Sequence, residues 1–244
     1  MAGHSSDLLP SNAELGHYLI LTGQAEHPLS LAFVEVFATL LSQFCRDVAT
    51  TNLHAAALMA LATVQGFPLR LEHGRMLQGW VLAMSGETAA GLVQIRQGLT
   101  ASQGVGPELI RHYGLCLLAE AYGQAGQPKC GLEVLVEALA LAATTGACWG
   151  EAELYRLKGA LLLQLPSADV DEAEDCFQHA LAAARSQQAK ALGLRAALSL
   201  SHLCQQQRKR KQARQLLAPI YGWFSEGLDP PDLREARALL AELA

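Results

Sequence analysis

One interval, close to 40 residues, runs through this 244-residue chain. Pro28 in HPLSLAF is followed by Pro68 in FPLRLEH 40 residues on, and by Pro107 in GPELIRH 39 further. Gly86 and Gly126 are again 40 apart. Small residues at Gly91, Gly131, Ala173 and Ala213 follow at intervals of 40, 42 and 40, and eight residues beyond each lies Leu99, Leu139, Leu181 or Tyr221. Landmarks that agree in several registers mark structural repeats, and a repeat of this length cannot bury its apolar surface alone. The chain must therefore stack its units into a solenoid.

Each period holds two helices. Leu115, Leu118, Ala119 and Tyr122 fall at i, i+3, i+4 and i+7, which places them on one helical face. Gly131, Leu135, Ala138 and Leu139 repeat that spacing in the partner segment. Between them Gly126 can stop a helix and Pro128 can open the next. Asp169 and Glu172 form a D-x-x-E helix start. The pairs are expected at 28–64, 68–103, 107–145, 149–187 and 189–227, with a short helix near 12–23. A final helix over 230–243 has Asp229 as its cap and Pro230 at its first position. Residues 1–27 form an N-terminal segment, 28–227 the repeats and 228–244 the C-terminal cap. Asp232, Arg234, Glu235 and Arg237 give that last helix a charged outer face, as an end cap needs. Small residues at Gly79, Ala119, Gly159 and Ser201, with Gly91, Gly131, Ala173 and Ala213, permit helix axes about 8–10 Å apart. Pro219 should kink the last long helix near Gly222.

Composition supports this all-α reading. Hydrophobic residues make up 51% of the chain and aromatics only 6%, and Leu and Ala recur throughout. Those two are strong helix formers and weak strand formers. The apolar fraction excludes a disordered chain, and a net charge of −5 excludes a global basic field for nucleic acid. The six cysteines contain no CxxC pair and read as reduced thiols. With no signal peptide and no transmembrane run, a cytoplasmic location is expected.

The stretch LCLLAEAYGQAGQPKCGLEVLVEAL, residues 115–139, resembles a tetratricopeptide repeat (TPR) through its large–large–small–aromatic pattern. Gln78 and Lys158 depart from it, where an apolar residue is expected. The blocks EAELYRLKGALLLQ, DEAEDCFQHALAAARSQQAK and LLAPIYGWFSEGLDPPDLREARALLAEL resemble the C-terminal TPR-like repeat region of bacterial adenylate/guanylate cyclase–AAA-type ATPase signalling proteins. The resemblance implies a right-handed superhelix of about five helix pairs plus a capping helix. It also implies a protein or peptide partner, possibly a cyclase or ATPase domain. The chain contains no GxxxxGK[ST] loop and has no room for a cyclase domain, so neither activity carries over.

Other motifs have plainer explanations. The eight histidines form no HExxH and no pair four apart, so no metal or other cofactor is expected. Neighbouring acids, Glu151 with Glu153 and Glu172 with Glu174, suit the positive end of a helix dipole. The run Arg208–Lys209–Arg210–Lys211 sits where a turn is expected, without the interleaved aromatics of a nucleic-acid surface. The better candidate is the concave groove that the resemblance implies. It places Phe33, Gln43, His73, Met76, Trp80, Tyr113, Glu120, Glu153, Arg156, Gln164, Arg195, His202 and Gln205 there, with Phe33 and Met76 open to an inter-repeat core reading. A small-molecule sensor is the alternative function, and it requires a closed pocket with convergent polar groups. At the N-terminal edge Leu15, Tyr18, Leu19, Ile20 and Leu21, with Phe33, Val36, Phe37, Leu40 and Leu41, lack a preceding partner. That edge is the expected site of low stability or self-association.

Overall fold

The computed structural model describes residues 27–103, 108–145, 150–225 and 230–244, with backbone alone at 108–110. Eleven helices follow one another among these residues, with no strand. In order they are α1 (Pro28–Phe44), α2 (Val48–Gln65), α3 (Pro68–Met84), α4 (Thr88–Ala101), α5 (Glu108–Gln124), α6 (Pro128–Thr145), α7 (Glu151–Leu162), α8 (Val170–Ser186), α9 (Lys190–Gln206), α10 (Arg210–Tyr221) and α11 (Pro231–Glu242). None of the helices among the described residues is long and apolar enough to cross a membrane.

Local chemistry sets the helix ends. Proline opens α1, α3 and α11, where its missing N–H costs no hydrogen bond. Asp47 and Asp169 cap α2 and α8, each accepting from the backbone N–H three residues on, at 3.0 and 2.9 Å. The first-to-second helix turns at 45–47, 85–87, 125–127 and 207–209 share one hydrogen bond. The N–H of Asp47, Glu87, Gln127 or Lys209 donates to the carbonyl five residues back, at 2.7–2.9 Å. This closure needs one left-handed residue. Gly86 and Gly126 supply it, and Arg46 and Arg208 adopt it at φ 56° and 62°. Arg208 and Lys209 of the basic run therefore lie in a tight exposed turn, and Arg210 and Lys211 open α10, also exposed. The α7–α8 connection, residues 163–169, is longer, and this insertion turns one 40-residue interval into 42.

Two sequence expectations are corrected at the C-terminal end. The last helix opens at Pro231, with Pro230 as an extended N-cap at ψ 144°, because a residue followed by proline is excluded from the helical region. Asp229 lies outside the described residues, as do Pro107, Cys148 and the segment 12–23. Pro219 does not kink a long helix: α10 ends two residues later, at Tyr221, with Gly222 as its cap.

Each first helix packs on its own second helix and on the first helices of adjacent pairs, and each second helix packs on the next first helix. The second helices do not touch one another, so α1, α3, α5, α7, α9 and finally α11 form the inner layer. The pairs interlock where small residues meet. A Cβ on Gly91 would lie 2.5 Å from the Gly79 carbonyl oxygen, and one on Gly159 2.7 Å from the Phe177 ring. The two polar departures from the repeat pattern are satisfied within their pairs. Gln94 Nε2 donates to Gln78 Oε1 at 2.9 Å, and Lys158 Nζ pairs with Glu172 at 2.9 Å.

Candidate functional site

The repeat period places equivalent residues side by side along the inner layer. Phe33, His73, Tyr113, Glu153 and Arg195 occupy one position of successive first helices, and Leu40, Trp80, Glu120, Ala160 and His202 another. Contacts link these rungs. Trp80 Nε1 donates to Glu120 Oε2 at 2.7 Å, one pair along. The Tyr113 hydroxyl donates to Gln43 Oε1 at 2.7 Å, two pairs back. Arg156 grips Glu153 with two bonds, from Nε at 2.9 Å and Nη2 at 2.6 Å. Arg195 Nη1 reaches the same carboxylate at 3.2 Å, and its Nε lies 3.5 Å from Asp232 Oδ2 on α11. Arg46, in the first turn of the superhelix, lies 3.8 Å from the other Asp232 oxygen. The first pair and the last helix thus meet through one network.

In this network the guanidiniums of Arg46, Arg156 and Arg195 face the carboxylates of Glu153 and Asp232. Distance decides how each acid ionises. Burial opposes charge on Glu153, but Arg156 and Arg195 overcome it and hold the carboxyl at about 2. At Asp232 burial prevails over the longer contacts to Arg195 and Arg46, and the carboxyl lies above its ordinary value. Burial also raises the Tyr113 hydroxyl and the Cys116 thiol, which keeps both protonated at neutral pH. His73 is lowered to about 4 by burial and by Arg70, so it is neutral. Arg195 Nε and Nη2 lack hydrogen-bond partners although the side chain is only 4% exposed.

The sequence-predicted groove residues divide by accessibility. Gln43, His73, Met76, Trp80, Tyr113, Glu120, Glu153, Arg156 and Arg195 are buried. Met76 belongs to the core between repeats, where a Cβ on Gly98 or Gly114 would press against it at 2.5 or 2.8 Å. Phe33 is exposed beneath the Arg70 guanidinium, 4.1 Å from its ring centre. Gln164 is exposed in the turn after α7. His202 and Gln205 are half-buried and bond to Glu235 at 2.8 Å and Glu242 at 3.0 Å of α11. Asp232 is corrected from outer face to interior, because its side of α11 packs on α9. Arg234, Glu235 and Arg237 do face solvent. Sequence reasoning missed Arg46 and Asp232. A non-glycine residue in the slot that Gly86 and Gly126 fill elsewhere was the available signal for Arg46, and nothing local marked its partner.

No family model and no curated protein matches the chain. Among solved structures it is similar to BtubC (BKLC) from P. vanneervenii, with a TM-score of 0.61 and 17% identity over 80% of this chain and 82% of that one. A Podosopora anserina kinesin light chain-type protein with nearly identical TPR-like repeats aligns at a TM-score of 0.49 and 17% identity, over 89% of this chain and 98% of that one. The likeness to BtubC is one of fold: the chain is an α-α solenoid of the TPR-like kind.

Proposed function

We propose that the chain is a non-catalytic interaction module that takes a protein or peptide partner in a bacterial cyclase–ATPase signalling system. The observation that supports an interaction role is the continuous inner layer of first helices, whose charges are paired across repeats before any partner arrives. A surface already ordered in this way binds without a further ordering cost. The C-terminal sequence blocks support the signalling context and, with it, a cytoplasmic setting. Of the groove candidates, solvent reaches Phe33, Gln164, His202 and Gln205, and partner contact is assigned to these. The nine buried residues hold the helices that carry them. Calorimetric titration of the full chain with purified class III cyclase and AAA-type ATPase domains tests the reading. Micromolar or tighter binding to one of them, weakened at least tenfold by the double substitution His202→Ala and Gln205→Ala, is expected. Absence of binding to both domains would contradict it.

A small-molecule sensor is the second reading, favoured by buried Arg195, whose Nη2 makes no hydrogen bond and whose Nε has only the 3.5 Å ion pair to Asp232. Thermal shifts with succinate and with inorganic phosphate test it: stabilisation lost in Arg195→Met supports a sensor, and no shift with either rejects these anions as ligands.

A further inference from the structure

The two buried arginines of the inner layer, Arg156 and Arg195, meet their carboxylates differently. Arg156 closes its Nε–Nη2 fork on both oxygens of Glu153, at 2.9 and 2.6 Å. Two parallel bonds from this fork are the strongest way in which a guanidinium holds an oxyanion. Arg195 instead reaches Glu153 from its remaining nitrogen, Nη1, at 3.2 Å. Its own Nε–Nη2 fork has no hydrogen-bond acceptor: Nη2 makes no bond, and Nε has only the Asp232 carboxylate at 3.5 Å. The side chain is 4% exposed, so bulk solvent does not satisfy the fork. Buried donors in native folds normally have a partner.

The surroundings of the fork set the chemistry of what fits it. Asp232 lies on α11, and its second oxygen is 3.8 Å from Arg46 in the turn at 45–47. Neither α1 nor α2 packs on α11, so at this seam side chains alone carry the contact. Arg46 is 34% exposed and Asp232 13%, which brings the cluster to solvent there. Both Asp232 contacts are longer than hydrogen bonds, and burial outweighs them in raising its carboxyl. Asp232 is thus a loosely held counter-ion. Three guanidiniums share Glu153 and Asp232, while Glu120, bonded to Trp80, acts on Arg156 through space. So small a surplus of positive charge suits a single negative charge better than a phosphate dianion.

We propose that the Nε–Nη2 fork of Arg195, with Arg46 beside it, binds a small singly charged carboxylate, and that Asp232 is its internal competitor. The ligand's two oxygens accept from Nε and Nη2 as those of Glu153 accept from Arg156, and Asp232 is left to Arg46. The proposal rests on the small-molecule reading above and adds the class of ligand and the residue that opposes it.

Calorimetric titration of the full chain with sodium acetate and with inorganic phosphate, at an ionic strength fixed with chloride, tests it. Acetate should bind more tightly than phosphate. Asp232→Asn removes the competing charge at almost unchanged shape and should tighten acetate binding at least fivefold; binding seen in this variant alone also supports the competition. Arg195→Lys keeps the charge without the fork and should weaken binding at least tenfold. Arg46→Met, at a partly exposed turn, should weaken it at least threefold, and it decides the matter with Asp232→Asn if circular dichroism shows Arg195→Lys unfolded. Acetate binding that Asp232→Asn leaves unchanged or weakens would overturn the proposal, while the small-molecule reading stands. Phosphate bound as tightly as acetate would overturn the carboxylate class. No binding of either anion by wild type or by Asp232→Asn would overturn both the proposal and the reading beneath it.

Discussion

Replacing Gly91 by Ala should destabilise the protein although Ala is the better helix former. Away from tertiary contacts, Gly→Ala in a helix interior gains about 1 kcal/mol. At Gly91 the new methyl would lie 2.5 Å from the Gly79 carbonyl oxygen, 2.8 Å from the Ala83 nitrogen and 3.0 Å from the Ala83 Cβ. Two of these atoms are backbone, so no rotamer change relieves the clash and α3 must move away from α4. Overpacking of this kind costs roughly 1–3 kcal/mol, and backbone contact at this distance puts the cost at or above the upper end. The net loss is about 2 kcal/mol or more. Gly193→Ala is the internal control: its methyl would meet only the Ala184 Cβ at 3.7 Å, an ordinary contact. It should gain roughly 0.5–1 kcal/mol. Urea unfolding followed by far-UV circular dichroism measures both, and the two substitutions must move the midpoint in opposite directions. Gly91→Ala at or above wild-type stability would refute the close α3–α4 crossing and the helix register built on it.

Further outcomes follow from the inner face. Trp80→Phe removes the bond to Glu120 and should cost about 1.5–3 kcal/mol, a charge-assisted hydrogen bond; the same substitution in a Glu120→Leu background should cost clearly less, measured by a double-mutant cycle. Glu153→Gln leaves buried Arg156 and Arg195 without their shared carboxylate and should cost about 3–5 kcal/mol in urea unfolding. His73 is held near 4 in the fold against 6.5 when free, so the unfolded chain binds the proton more tightly between those values. Stability from this group is full above pH 6.5 and falls as pH drops towards 4, by up to about 3 kcal/mol. His73→Leu should flatten that part of the stability–pH curve, and an unchanged slope would contradict the burial of a neutral imidazole.

The period was legible because packing demands it at every repeat. Gly79, Gly91, Gly131 and Gly159 are small where a neighbouring helix passes within van der Waals contact. Glycine marks the left-handed slot of the turns at Gly86 and Gly126, the repeat interval alone marked the turn at Arg208, and Arg46 hides the same geometry behind a side chain with no such signature. The inner face was legible as a set of positions but not as a set of contacts. Register alone places Trp80 beside Glu120, since one period separates them. Whether Tyr113 reaches Gln43, or Arg46 reaches Asp232, depends on how far each pair rotates on the last, a sum over many small packing choices that no local pattern records. For the same reason the interior charges looked like the lining of an open trough. The tight winding instead turns them towards one another, and Asp232, charged and near the end of the chain, joins them there.

The central claim is that the superhelix winds tightly enough for non-adjacent pairs to meet across its interior. A double-mutant cycle on Gln43→Leu and Tyr113→Phe tests it most directly, because the two residues lie 70 positions and two helix pairs apart. A buried neutral hydrogen bond between them predicts a coupling energy of about 1 kcal/mol in urea unfolding of the full chain. Additive effects, with coupling indistinguishable from zero, would mean an open solenoid whose inner face does not close on itself.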